Sequence, residues 1–206
     1  MRRRAVALAL LAVLSVAVLA SAQQPGHSPA PATPQQLADA LHGGAVRVTR
    51  TSHPGTEVRA GRASTVLDLP IDSVWAVLTD YARYHEFLPH FTQSRVLSKR
   101  GATANVYLAA ELLSGAATVW AELHIQQATP AGETRVLTSR TTRTNTRRLE
   151  ARWEATPVDT GARTLVTFEV LVEPDLPFPP GIMSHENEVA AGDSVRNLRQ
   201  HVAALR

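Results

Sequence analysis

The sequence has no cysteine, few aromatic residues and almost no net charge once its first residues are set apart. Because none of the 206 residues is a cysteine, disulfides, thiol nucleophiles and cysteine-ligated metals are excluded from the chemistry of this chain. The formal net charge is only +3, and Arg2, Arg3 and Arg4 account for all of it. The remainder is neutral, so we expect no nucleic-acid partner, because nucleic-acid-binding domains usually carry a basic excess.

Familiar signatures of catalysis are also missing. The sequence contains no G-x-S-x-G elbow, no phosphate-binding loop and no dinucleotide fingerprint. The segment 185–188 begins with His185 but lacks the second histidine of a zinc-protease helix, and His85 and His90 have no third ligand nearby in sequence. We therefore expect no metal ion and no cofactor, and we assign no catalytic residue.

Residues 1–22 have the features of a secretory signal. Three arginines precede an apolar stretch, and Ala20-Ser21-Ala22 forms an A-x-A cleavage site. The stretch is short for a membrane-spanning helix, so cleavage after Ala22 is expected, with an uncleaved anchor as the alternative. The sequence thus predicts a periplasmic or secreted protein that starts with a flexible, proline-rich linker over residues 23–35.

Residues 36–206 have the size of one domain, with a predicted core over residues 58–206. Helical periodicity predicts helices over 35–42, 71–80 and 84–88 and a long C-terminal helix ending near Leu205. The weak alternation of residues 45–51 predicts an extra strand near the start of the domain. β-Forming residues predict a further strand at 62–69. Alternation and turn signals then predict six more strands, at 92–100, 104–112, 117–127, 134–142, 147–156 and 162–172.

The predicted strands have one apolar face, and the last helix has one apolar stripe. In the strand 147–156, Leu149, Ala151 and Trp153 alternate with charged residues. The helix stripe consists of Val195, Leu198, Val202 and Leu205, and its upstream continuation is made of the small or polar residues Ser184, Asn187 and Ala191. We therefore expect an α+β fold: a curved antiparallel sheet of about seven strands wrapped on the C-terminal helix, with an apolar cavity between them.

Two segments resemble a known family. The stretch from Val66 to Tyr81, VLDLPIDSVWAVLTDY, resembles the opening of START-like proteins of the SRPBCC superfamily. The segment YHEFLP at 84–89, followed by Arg95-Val96-Leu97, is similar to the coenzyme Q-binding and polyketide cyclase branch, although His85 stands where that branch usually has proline. The resemblance covers roughly residues 58–206 and implies a helix-grip fold with a deep apolar pocket. It implies no single activity and no shared catalytic motif.

The leading hypothesis is a non-enzymatic binder or carrier of a small hydrophobic ligand, such as a lipid, quinone or isoprenoid. Its ligand-binding residues are expected among the clustered aromatics, the inward strand positions and the helix. They are Trp75, Tyr81, Tyr84, Phe87, Val119, Ala121, Leu123, Arg147, Leu149, Trp153, Phe168, Asn187 and Ala191. For the aromatics the alternative is simple core packing.

Arg147 is included because strand alternation places it on the same face as Leu149 and Trp153. A charge cannot remain unpaired in a dry core. Arg147 therefore either reaches water beyond the sheet, pairs with an internal acid, for which Glu169 is a poor candidate, or binds a ligand head group at the pocket rim.

Two other functions stay open. A polyketide cyclase or aromatase would need an acid or base inside the cavity, for which Tyr81 is the best candidate and His124 a weaker one. A protein-interaction module that regulates an envelope partner is the third reading. Trp120, on an otherwise polar strand face, would suit contact with a partner or transient contact with a membrane. The oligomeric state is not readable from the sequence.

The export hypothesis predicts a processed N-terminus. N-terminal sequencing of the protein from the cell envelope or medium should return Gln23 as the first residue, because Ala20-Ser21-Ala22 matches the specificity of signal cleavage. Recovery of chains that begin at Met1 would contradict cleavage and favour the anchor.

Overall fold

The structure is a computed structural model that describes residues 32–88, 90–112, 115–129 and 132–204. The expected signal and all but the end of the expected linker lie outside these residues. The helices described are α1 (Pro34–Ala40), α2 (Ile71–Leu78), α3 (Tyr84–Phe87) and α4 (Pro180–Ala204). The strands described are β1 (Arg47–Thr51), β2 (Ala60–Leu67), β3 (Phe91–Arg100), β4 (Thr103–Leu112), β5 (Ala117–Ala128), β6 (Arg135–Thr144), β7 (Thr146–Val158) and β8 (Arg163–Pro174).

The strands form a single antiparallel sheet in the order β1-β2-β8-β7-β6-β5-β4-β3. The long C-terminal helix packs on β2 and β8 and reaches β1. This arrangement confirms the predicted α+β class and the helix-grip fold. The described sheet has eight strands rather than about seven, because the extra strand expected at 45–51 pairs with β2 as β1.

Helix α1 begins slightly earlier than predicted. The Thr33 side chain accepts a hydrogen bond from the Gln36 amide, and the Gln36 side chain accepts one from the Thr33 amide. This reciprocal capping box, with Pro34 in the first turn, fixes the start of the helix. The last two residues assigned to the linker, 34 and 35, are therefore helical.

The apolar stripe of α4 faces the sheet as predicted. Val195 and Leu198 are fully buried and Val202 is nearly so, whereas Leu205 lies outside the described residues. The helix approaches β2 very closely at Gly61. A Cβ atom at Gly61 would lie 1.9 Å from the Asn187 carbonyl oxygen, so only glycine allows the two backbones to touch there.

Asn187 extends this contact through its side-chain amide. The β2–β8 ladder ends at the pair Gly61–Val170, and beyond it the Asn187 amide lies between the two strands. Its oxygen accepts from the Val172 amide at 3.1 Å, and its nitrogen donates to the carbonyls of Val172 at 3.2 Å and Arg59 at 3.1 Å. A helix side chain thus completes the strand pairing where the backbone ladder stops.

Replacement of Gly61 by alanine should therefore weaken the packing of α4 on β2. The added methyl overlaps the helix backbone, and we expect Gly61→Ala to lower the free energy of unfolding by at least about 2 kcal/mol in urea titrations. The matched control is Gly181→Ala, because nothing lies within 4 Å of a Cβ atom at that glycine. The control should be neutral or stabilising by about 0.5–1 kcal/mol. Equal stability of the two variants would contradict the close approach.

Candidate functional site

A cavity of about 100 Å³ lies between the inner face of the sheet and α4. Its walls come from strands β3 to β8, from Tyr84 and Leu88 at the two ends of α3, and from one face of α4. Seven of the residues predicted to bind a ligand line it: Tyr84, Val119, Ala121, Leu123, Leu149, Trp153 and Phe168. The strand alternation of β5, β7 and β8 brings them together, because their side chains point to the same side of the sheet.

The cavity wall is rigid at one aromatic pair. The rings of Trp153 on β7 and Phe168 on β8 stack at 4.1 Å between centroids, and the two residues are direct neighbours in the ladder. Tyr84 contributes its ring, while its hydroxyl donates a 2.7 Å hydrogen bond to the Leu78 carbonyl. Burial is the main reason that the pKa of Tyr84 is raised well above its ordinary value, so this hydroxyl stays neutral.

Two polar residues lie at the exposed end of the cavity. His90 and Glu111 line it and are both exposed, and the Glu111 amide donates to the His90 carbonyl at 2.9 Å. His90 has a φ of 64°, which is uncommon for a residue other than glycine. From the sequence, His90 is only a candidate metal ligand without a third ligand nearby. Its place at the cavity follows from the turn that joins α3 to β3, which no periodicity predicts.

The remaining aromatics of the predicted cluster serve mainly as core. Tyr81, Tyr84 and Phe87 form successive edge-to-face contacts at 5.7 and 5.4 Å. Phe87 then packs against His201 of α4 at 5.3 Å. Trp75 is half-buried beneath the guanidinium of Arg135, at 5.9 Å. Tyr81, Phe87 and Trp75 are not among the cavity-lining residues, so core packing, the stated alternative, describes them better than ligand binding.

Neither residue considered as an acid or base lines the cavity. Tyr81 is only 1% exposed, and its hydroxyl oxygen accepts a hydrogen bond from Gln127 at 3.2 Å. Burial raises the pKa of Tyr81, and the bond from Gln127 opposes part of that rise. His124 is on the outer face of β5, where its Nδ1 is 2.9 Å from the side-chain oxygen of Asn105.

The predicted direction of Arg147 is wrong. A β-bulge between Thr146 and Arg148 interrupts the register with β8, so the simple alternation fails at that residue. The Arg147 side chain is 61% exposed and donates to Glu173 at 3.0 Å. It therefore pairs with an acid at the surface and does not line the apolar cavity. Binding of a head group by Arg147 stays a prediction.

Strands β6 and β7 separate near this bulge. They pair from Arg135–Ala155 only as far as Arg140–Glu150, although the described strands continue to Thr144 and from Thr146. The Thr141 hydroxyl, which donates to the Leu149 carbonyl at 2.7 Å, spans the gap. An open polar cleft of about 990 Å³ lies on the outer side of the sheet here. Its arginines are Arg140, Arg143, Arg147, Arg148 and Arg152.

On α4 the cavity-facing positions are offset from the predicted ones. Ala190 and Ser194 line the cavity, whereas Asn187 and Ala191 are buried elsewhere in the packing of the helix. The two predicted helix residues therefore do not line the cavity, which is bordered by the neighbouring side of the helix. The Asn187 amide hydrogen-bonds instead to the backbone of Arg59 and Val172.

The described residues contain neither a metal-binding cluster nor a membrane-spanning helix. Within the described residues, no three histidine, cysteine, aspartate or glutamate side chains cluster closely enough to hold a metal ion. Among the described helices, none combines the length and the apolar character needed to cross a membrane.

Several solved structures share this fold. A STAR-related lipid transfer protein from Xanthomonas axonopodis matches with a TM-score of 0.68 and 17% identity over 77% of this chain and 93% of that chain. Human StAR-related lipid transfer protein 5 matches with a TM-score of 0.68 and 9% identity over 79% and 84%. The Zhui aromatase/cyclase from Streptomyces sp. R1128 matches with a TM-score of 0.52 and 14% identity over 79% and 97%.

Comparison with curated protein sequences returns no relative. The family model for polyketide cyclase / dehydrase and lipid transport proteins matches residues 67–199, which is more than half of the chain. That range begins at the end of β2 and includes every strand that lines the cavity and most of α4. The chain therefore belongs to the polyketide cyclase / dehydrase and lipid transport family.

Proposed function

We propose that this protein is an exported, non-enzymatic binder or carrier of a small hydrophobic ligand. The observation that carries the proposal is the composition of the cavity wall. Only three of the described lining residues are ionisable. His90 and Glu111 lie at the exposed end, and the Tyr84 hydroxyl donates a hydrogen bond to the Leu78 carbonyl. Away from that end, such a wall favours an apolar body and offers no charged group for catalysis.

Burial of apolar surface supplies the binding energy. At about 25 cal/mol per Å², a ligand that buries about 300 Å² of apolar surface gains about 7 kcal/mol before the cost of association is subtracted. That is enough for useful affinity without a covalent or ionic contact. The likeness to lipid transfer proteins supports the same class of ligand, and the predicted signal supports action outside the cytoplasm.

A cyclase or aromatase function is the weaker proposal. It is supported by the family and by the likeness to the Zhui aromatase/cyclase. However, Tyr81 and His124 do not line the cavity. A catalytic role would have to rest on His90 or Glu111 at the exposed end.

Blocking the cavity tests the proposed function. Ala190 is half-buried on α4 and lines the cavity, so Ala190→Phe places a ring in the ligand space at a position that tolerates added volume. The purified full chain is incubated with vesicles that carry a short-chain quinone and a short-chain isoprenoid alcohol, re-isolated, extracted with organic solvent and analysed by mass spectrometry. We expect about one bound molecule per wild-type chain and at least a tenfold loss for the variant.

The matched control is Ala203→Phe, which makes the same change at an exposed position of the same helix. It should bind like the wild type, with circular dichroism confirming that both variants are folded. A wild type that retains neither the quinone nor the isoprenoid alcohol, or a folded Ala190→Phe variant that binds normally, would contradict the proposal.

A further inference from the structure

The polar cleft on the outer side of the sheet is unusually rich in arginine. Its five arginines all come from the thirteen residues 140–152, a stretch that contains a single acidic residue, Glu150. The chain after Arg4 carries no formal net charge, so this stretch concentrates positive charge in a protein that is otherwise balanced. Such a local excess indicates an anionic ligand.

The two arms of the β6–β7 hairpin form the walls of the cleft. The arms stop pairing beyond Arg140, so the cleft opens between them. Arg140 and Arg143 lie on the β6 arm, and Arg147 and Arg148 lie on the β7 arm. Because no ladder joins the arms there, backbone polar groups on the facing strand edges border the cleft together with the guanidinium groups.

Nearby carboxylates use only part of this set of donors. Four of the arginines have one close carboxylate each, at 2.7–3.1 Å, in the pairs Arg143–Glu122, Arg147–Glu173, Arg148–Glu150 and Arg152–Glu154. The other acidic residue that lines the cleft, Glu169, pairs with Arg62 at 3.0 Å and His53 at 3.1 Å. A guanidinium has five N–H donors, and exposed ion pairs contribute little free energy, so donors remain for a further anion.

Arg140 differs from the other four arginines because it has no carboxylate partner within the described residues. It is exposed, and the strand register places it between His124 of β5 and Glu150 of β7. Glu150 pairs instead with Arg148, at 2.8 Å. The planar guanidinium of Arg140 is therefore open to an incoming anion.

We infer that this cleft binds a phosphate group, with Arg140 as the main binding residue and Arg143 and Arg148 completing the site. A guanidinium matches two phosphate oxygens at once, and arginines on both walls can engage more oxygens than a carboxylate offers. The phosphate belongs to a lipid head group or to a soluble phosphorylated compound. None of these arginines lines the apolar cavity, so the inference does not rest on the proposed function.

Two probes with the same phosphomonoester test the inference. Glycerol 3-phosphate is titrated into the purified full chain by calorimetry, and the chain is co-sedimented with phosphatidylcholine vesicles with or without phosphatidic acid. We expect saturable binding of glycerol 3-phosphate that Arg140→Gln weakens about tenfold, or by about 1.4 kcal/mol. Arg140→Lys keeps the charge but loses the planar fork, so it should weaken binding about threefold.

A matched control separates the site from general electrostatic attraction. Arg100→Gln removes the same charge from an exposed position at the end of β3, outside the cleft, and should bind within about twofold of the wild type. The urea midpoint of Arg140→Gln should equal that of the wild type, because Arg140 has no ion pair to lose. Loss of binding in that variant then reports on the ligand and not on the fold.

The outcomes also identify the source of the phosphate. Retention on vesicles with phosphatidic acid that glycerol 3-phosphate competes away supports the inference with a lipid head group. Binding of glycerol 3-phosphate without retention on vesicles supports it with a soluble compound. Absence of saturable binding of glycerol 3-phosphate overturns the inference. Equal losses in Arg140→Gln and Arg100→Gln also overturn it, because only non-specific attraction would remain.

Discussion

The contact between α4 and β2 at Gly61 is the constraint on which the rest of the structure depends. It places the helix backbone directly on one part of the sheet, and the Asn187 amide fixes the helix there by bridging Arg59 and Val172. Because the helix lies against β1, β2 and β8, the inner face of β4 to β7 curves over a space that the helix does not fill. A tight contact at one end of the inner face of the sheet thus leaves a cavity between the helix and the other strands.

The polar groups of the domain are distributed in agreement with a binding role. Charged side chains lie on the outer face, where Arg62 pairs with Glu154 and Glu169 at 3.1 and 3.0 Å. The cavity wall on the inner face is apolar apart from the hydroxyls of Tyr84, Ser139 and Ser194 and the polar residues His90 and Glu111 at its exposed end. Selectivity in such a site comes from the few polar groups that border it, because apolar contact alone discriminates poorly between ligands of similar size.

The sequence predicted the architecture well because strand alternation and the α4 stripe are regular patterns. It predicted the site only where those patterns persist, as at Leu123, Leu149 and Phe168. Arg147 departs from alternation because of a bulge, and bulges depend on pairing with β8 that lies far along the chain. Asn187 matched the expected stripe, but its role depends on where the β2–β8 ladder ends. Such features arise from tertiary pairing, so local periodicity does not reveal them.

The separation of β6 and β7 has a mechanical consequence. Next to Leu149, the hydrogen bond from the Thr141 hydroxyl stands where backbone hydrogen bonds would otherwise join the two strands. Outward displacement of this part of the wall would break far fewer backbone hydrogen bonds than displacement of β8, which is paired along most of its length with β2 and β7. The cavity is therefore compliant on one side and stiff on the other, so it can widen for a bulkier guest while the helix and its Asn187 anchor stay in place.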